Sequence, residues 1–101
     1  MKKQLEMTGT TRSSEGLDPR RKRLLFRCWH RGTREMDLLL GRFADAHIGD
    51  LSEAEVGQLE QLIEASDPDL YAALTGSAVP GPDIAGVMFE RVKAFRPAEL
   101  S

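Results

Sequence analysis

The sequence predicts an all-α fold, a compact five-helix bundle behind a disordered N-terminal tail. Three observations predict it. Apolar residues recur at i, i+3, i+4 and i+7 in successive segments, the spacing of one helix face. Period-2 alternation, the mark of a half-buried strand, is almost absent. The apolar segments are separated by short stretches with N-cap residues, prolines and glycines where helices begin and end, and short connections favour antiparallel neighbours.

The first helix is expected to start at Asp18-Pro19, an N-cap followed by proline at the first helical position. Leu24, Leu25, Cys28 and Trp29 share its apolar stripe, whereas Arg20, Arg23, Arg27, His30 and Arg31 gather on the opposite side and Phe26 sits at the margin. Gly32 interrupts the pattern, because glycine accepts the left-handed geometry of a helix terminus cheaply. The second helix runs from about Thr33 to His47, with Met36, Leu39, Leu40, Phe43 and His47 at helical spacing, and Gly49-Asp50 ends it. The third has the clearest start: Ser52 and Glu55 form a capping box, Leu51 can staple onto Val56, and Val56, Leu59, Leu62 and Ile63 give the buried face. In the short fourth helix Asp67 caps, Pro68 opens, Leu70, Tyr71 and Leu74 face inward, and Gly76 closes. After a Gly/Pro loop, Ile84, Val87, Met88, Val92 and Phe95 form the stripe of the fifth, and Pro97 stops it.

A chain of 101 residues, 41% apolar and 30% charged, fits one globular domain with a modest core and little surplus surface to wall off a deep pocket. The expected division is a flexible tail over 1–18, a single helical domain over 19–96 and a C-terminal tail over 97–101, with nothing favouring self-association over a monomer. No apolar run approaches the roughly 20 residues that span a bilayer. Met1-Lys2-Lys3 is followed by no apolar core of a secretory signal, and Glu6, Glu15 and Asp18 weigh against a mitochondrial transit peptide. A single cysteine, Cys28, excludes an internal disulfide framework. These features point to a bacterial cytoplasm. Charge is lopsided: residues 1–34 hold ten Lys/Arg and three acids, residues 35–101 four and thirteen, or +7 against −9. Such asymmetry steers an encounter with a partner.

Catalytic and metal chemistry find little footing. Cys28, His30 and His47 are the only soft ligands; Cys28 and His30, two apart on a helix, point to different faces, and no CxxC or HxxxH occurs. Cys28 lies on the apolar stripe, where it behaves as a small hydrophobe rather than an activated nucleophile. Gly76 to Gly81 contains no phosphate-binding glycine pattern. The run Arg20 to Arg23, continued by Arg27, Arg31 and Arg34 with Phe26 and Trp29 between, has the look of a nucleic-acid strip. However, the remainder of the chain is acidic and would repel phosphate, and no helix-turn-helix carries a basic recognition helix. The expectation is a non-enzyme without bound metal, nucleic acid or membrane, working by docking a basic corner onto a protein. Arg31 and Glu35 stand four apart across Gly32. They are either an i,i+4 ion pair worth about 0.3–0.5 kcal/mol or two residues flanking a bend, with Glu35 in the first turn of the second helix where the dipole favours a carboxylate.

The run Trp29-His30-Arg31-Gly32-Thr33-Arg34-Glu35-Met36-Asp37 carries an Arg-Gly-x-x-Glu signature, and with Asp50-Leu51-Ser52 and Asp67-Pro68-Asp69-Leu70-Tyr71 it resembles the SdhE (YgfY) / succinate dehydrogenase assembly factor 2 family over about Arg21 to Phe95. The resemblance implies a five-helix bundle that promotes covalent attachment of FAD to the flavoprotein subunit of succinate dehydrogenase and, in some bacteria, of fumarate reductase. FAD would be attached to the client, with none held tightly by this chain. The motif carried over is Arg31, Gly32 and Glu35, with Trp29, His30 and Arg34 as neighbours and Thr33 in a variable position. The alternative is a generic adaptor or regulator that uses the same corner on another partner.

Overall fold

In the computed structural model, residues 16–95 are described. Five α-helices follow one another: α1 (Pro19–Trp29), α2 (Arg34–His47), α3 (Glu53–Leu62), α4 (Asp67–Leu74) and α5 (Val87–Ala94). No strand occurs among the described residues, so the chain is all-α as the periodicity implies. The expected tail over 1–18 falls for the most part outside the described residues. The chain divides between Asp50 and Leu51 into two compact units.

The first unit holds α1 packed on α2. Asp18 caps α1 and Pro19 opens it, with the Asp18 carboxylate accepting from the Arg21 amide at 3.3 Å. Arg21 then leaves the basic strip for a structural post. Its Nη1 is 2.9 Å from Asp18 Oδ1, and its Nε donates to the Ile48 carbonyl oxygen at 3.1 Å, tying the start of α1 to the residue that caps α2. The Arg21 guanidinium holds the Asp18 carboxyl below its ordinary value. The stripe Leu24, Leu25, Cys28, Trp29 is fully buried, as are Met36, Leu40, Phe43, Ala44 and Ile48. Leu39, expected on the buried face of α2, is only half-buried. In its place Gly41 is buried, because the indole of Trp29 lies against the α2 backbone there. A Cβ on Gly41 would sit 2.6 Å from Trp29 Cε2 and Cε3 and closer still to Cδ2. Trp29 Nε1 donates to Asp45 Oδ1 at 3.3 Å, one turn further along α2.

In the second unit α5 packs on α3 and α4. The expected capping box is present: Ser52 Oγ accepts from the Glu55 amide at 3.1 Å and Glu55 Oε1 from the Ser52 amide at 2.8 Å. Glu55 Oε2 also meets Arg91 Nη1 at 3.2 Å, linking α5 to the start of α3. The Ser52 amide holds the Glu55 carboxyl below its usual range against the opposing effect of burial, with Arg91 adding a smaller pull in the same direction as Ser52.

Three expectations are corrected here. Ser66, not Asp67, caps α4: its Oγ accepts from the Asp69 amide at 3.3 Å, and Pro68 falls at the second helical position. Tyr71 is exposed, because the buried stripe of α4 is Leu70, Ala73 and Leu74, and Tyr71 lies about 100° round the helix from Leu70. In α5 the stripe is Met88, Phe89 and Val92, and Val87 is 72% exposed. The helix begins only at Val87, and Ile84 is buried from a preceding turn in which the Gly81 carbonyl accepts from the Ile84 and Ala85 amides.

Gly41 carries a prediction. Inside an exposed helix, Gly to Ala gains about 1 kcal/mol of propensity. Here the added methyl overlaps the indole, and overpacking costs about 1–3 kcal/mol. Gly41→Ala therefore loses stability in chemical denaturation, and the emission of Trp29, the sole tryptophan, moves red as the indole is pushed toward solvent. A gain in stability with unchanged emission would contradict this packing.

Candidate functional site: the corner between α1 and α2

The corner is four residues long, from His30, which caps α1, to Thr33, which caps α2. Gly32 has φ 110°, a left-handed conformation that side chains with a Cβ adopt only at a cost. The helices are therefore separated by a bend, which decides between the two readings of Arg31 and Glu35: they flank a turn. Thr33 is more than a filler of a variable position, since its Oγ1 accepts from the Met36 amide at 3.2 Å and so starts α2.

Among the sequence-predicted residues, Gly32, Arg34, Glu35 and His30 are exposed, Arg31 is half-buried, and Trp29 is 4% exposed. His30, Gly32 and Arg34 line one cavity, and Arg31 and Glu35 are not among its lining residues. Trp29 is buried against α2 and anchors the end of α1 there. His30 Nδ1 donates to the Phe26 carbonyl oxygen at 2.8 Å, and the two rings stack with centroids 3.9 Å apart and planes at 19°. Phe26, 47% exposed, thus extends the corner along α1 as an aromatic step flanked by Arg23 and Arg27. Beside the corner lies a cavity of about 570 Å³ lined by His30, Gly32, Thr33, Arg34, Asp37 and Leu38, with Trp29 and Arg42 completing its wall.

Asp37 was not among the expected residues. Its Oδ1 accepts from the Arg31 amide at 2.6 Å, across the turn. The available signal was an acidic residue in the first turn of α2, but carboxylates are common there for the dipole alone. Gly41 and Asp45, which seat Trp29, were equally silent in the sequence, because their role depends on which face of α2 meets α1.

Chemically the corner offers cations, one carboxylate and close backbone approach at a glycine. Such a surface suits charge-assisted contacts to a protein partner. Cys28 lies behind it, fully buried, and burial pushes its thiol up to about 12 despite nearby Arg31 and Arg27. Among the described residues no group of three or more His, Cys, Asp or Glu is arranged to hold a metal ion, and no helix is long and apolar enough to cross a membrane.

Residues 22–96 match the model of the Sdh5 family, described as flavinator of succinate dehydrogenase. This chain belongs to the Sdh5 family. The match takes in α2 to α5 and most of α1, hence the whole corner. Among similar proteins, the FAD assembly factor SdhE of Acetobacter pasteurianus is 39% identical over 64 residues, covering 63% of this chain and 59% of the relative. The mitochondrial succinate dehydrogenase assembly factor 2 of Meyerozyma guilliermondii is 35% identical over 74 residues, 71% of this chain and 55% of the relative. That of Caenorhabditis briggsae is 36% identical over 84 residues, 80% and 69%. The chain thus spans 55–69% of the length of these three relatives. No solved structure gives a significant match.

The buried thiol yields a pH prediction. With its folded value raised from an ordinary 9.0 to about 12, Cys28 keeps its proton in the fold where an unfolded chain would lose it. Its contribution is whole below pH 9 and declines as pH rises toward 12, by about 1.4 kcal/mol per pH unit at most. Stability of the wild type should fall more steeply above pH 9 than that of Cys28→Ala, and a thiol reagent at pH 8 should label Cys28 only on unfolding. Rapid labelling of the native chain would contradict the placement.

Proposed function

We propose that this chain is a non-catalytic assembly factor that binds the flavoprotein subunit of succinate dehydrogenase and promotes covalent attachment of FAD to it, with the α1–α2 corner as the docking surface. Membership of the Sdh5 family supports the process, and so do relatives named for FAD assembly and for succinate dehydrogenase assembly. The observation that carries the choice of surface is Gly32 at φ 110° between Arg31 and the α2 N-terminus. Arg23, Arg27 and Arg31 lead up to this turn, Arg34 stands just beyond it, and it lies inside the family match.

The chain acts by population shift. It favours the client conformation in which the acceptor side chain and the flavin are aligned, and need not donate a reacting group. Arg31 and Arg34 engage client carboxylates or carbonyl oxygens, Gly32 lets the backbones approach closely, and Glu35 orients an arginine or meets a client base. FAD stays with the client, and this chain holds none tightly. The wider reading includes fumarate reductase as a second client, a monomeric state and a bacterial cytoplasmic location.

Arg31→Ala and Glu35→Ala are the direct tests, because both leave the backbone as it is. A substitution at Gly32 changes the surface and also strains a left-handed backbone, by about 1–2 kcal/mol, so Gly32→Val does not separate docking from folding. In a pull-down with the purified flavoprotein subunit, the wild type is retained and both alanine variants are lost or weakened at least tenfold, with unchanged circular dichroism. Retention of both variants at wild-type strength, or capture of a different partner through the same residues, would contradict the proposal.

A further inference from the structure

Arg31 stands where the chain has left α1 and has not yet entered α2. α1 closes with the His30 amide on the Arg27 carbonyl oxygen at 3.4 Å, and α2 opens behind Thr33. A half-buried amide in that gap needs an acceptor. Thr33 Oγ1 is already engaged by the Met36 amide. The acceptor is Asp37 Oδ1, at 2.6 Å. An ionised acceptor makes a shorter and stronger bond than a neutral one, and this carboxylate sits in the first turn of α2, where the helix dipole already favours it.

We propose that Asp37 is a positioning residue for the docking corner. Its carboxylate latches the Arg31 amide to α2 and so fixes the direction in which Arg31 and Gly32 are offered to a partner. The latch closes a loop that contains Gly32, the residue with the widest choice of backbone conformations. Unlatched, the corner populates other turns, and the apparent affinity falls by the fraction of molecules that keep the competent one. Asp37 itself lines the cavity beside the corner, so its carboxylate is committed to the backbone on one side of a surface that the partner approaches on the other. This role rests on the function proposed above.

The test uses the full chain, its Asp37→Asn and Asp37→Leu variants, and Leu24→Ala as a control that weakens the fold of the first unit away from the corner. Two quantities are read: the amide proton shift of Arg31 by NMR, and the dissociation constant for the purified flavoprotein subunit. Asp37→Leu, which removes the acceptor, should move the Arg31 amide upfield and weaken binding tenfold or more. Asp37→Asn, which keeps an acceptor oxygen without its charge, should fall between it and the wild type, and Leu24→Ala should lose melting temperature but keep its affinity. The positioning role is overturned if the Arg31 amide does not move in Asp37→Leu, if it moves with no loss of affinity, or if Leu24→Ala loses affinity equally. Should Asp37→Leu fail to fold, Asp37→Asn gives the same comparison with the same expected direction. A wild-type chain that does not bind the flavoprotein subunit would overturn the proposed function instead, while the amide shifts still report on the latch.

Discussion

The indole of Trp29 rests on the α2 backbone at Gly41, and the geometry of the corner depends on that contact. Only a residue without a side chain admits the ring at that distance. The bond from Nε1 to Asp45 then fixes which way the ring points. With the last residue of α1 pinned halfway along α2, the chain has four residues in which to reverse, and a left-handed glycine is the economical way to do so. The Thr33 cap and the Asp37 carboxylate then give acceptors to two amides there, those of Met36 and Arg31. A similar tie acts at the other end of the pair, where Arg21 joins the Asp18 cap to the Ile48 carbonyl. The exposed residues of the corner thus stand on a rigid frame, which is what presentation of a few charges to a partner requires.

Charge follows the same division as the chain. Residues 16–50 carry eight Lys/Arg and five acids, whereas residues 51–95 carry two and eight. Within the first unit, Arg21 ties α1 to the end of α2, and Arg23, Arg27, Arg31 and Arg34 follow in sequence along α1 and the turn, beside the Phe26–His30 stack. Stacked aromatic rings edged by arginines give a surface that combines some desolvation with directed hydrogen bonding, as the centres of protein interfaces do. The one thiol lies behind this surface, protonated by its own burial.

The helices were legible because their signals are local. The Ser52–Glu55 box, the Asp18-Pro19 start and the apolar stripes of α1 and α3 depend on residues three or four apart, and each stands where the sequence places it. The misplaced features are those with two local solutions. Ser66 and Asp67 can both cap a helix, and the preference of proline for the first helical position favours the wrong one. The α5 stripe was phased from Ile84, which is buried from a turn, so it selected Val87 over Phe89. At the corner, Arg31, Gly32 and Glu35 could be found through the motif and the glycine. Asp37, Gly41 and Asp45 could not, since their meaning comes from the face of α2 that meets α1, and pair packing leaves no fixed spacing in a sequence.

The central claim is that this chain promotes covalent FAD loading of a flavoprotein through its α1–α2 corner. It is tested most directly in a strain lacking the gene, by in-gel flavin fluorescence of the succinate dehydrogenase flavoprotein subunit normalised to its protein level. The account predicts a strong loss of fluorescence in the deletion strain, restored by the wild-type gene and not by Arg31→Ala expressed at the same level. Undiminished fluorescence in the deletion strain would contradict the function, and full restoration by Arg31→Ala would contradict the site.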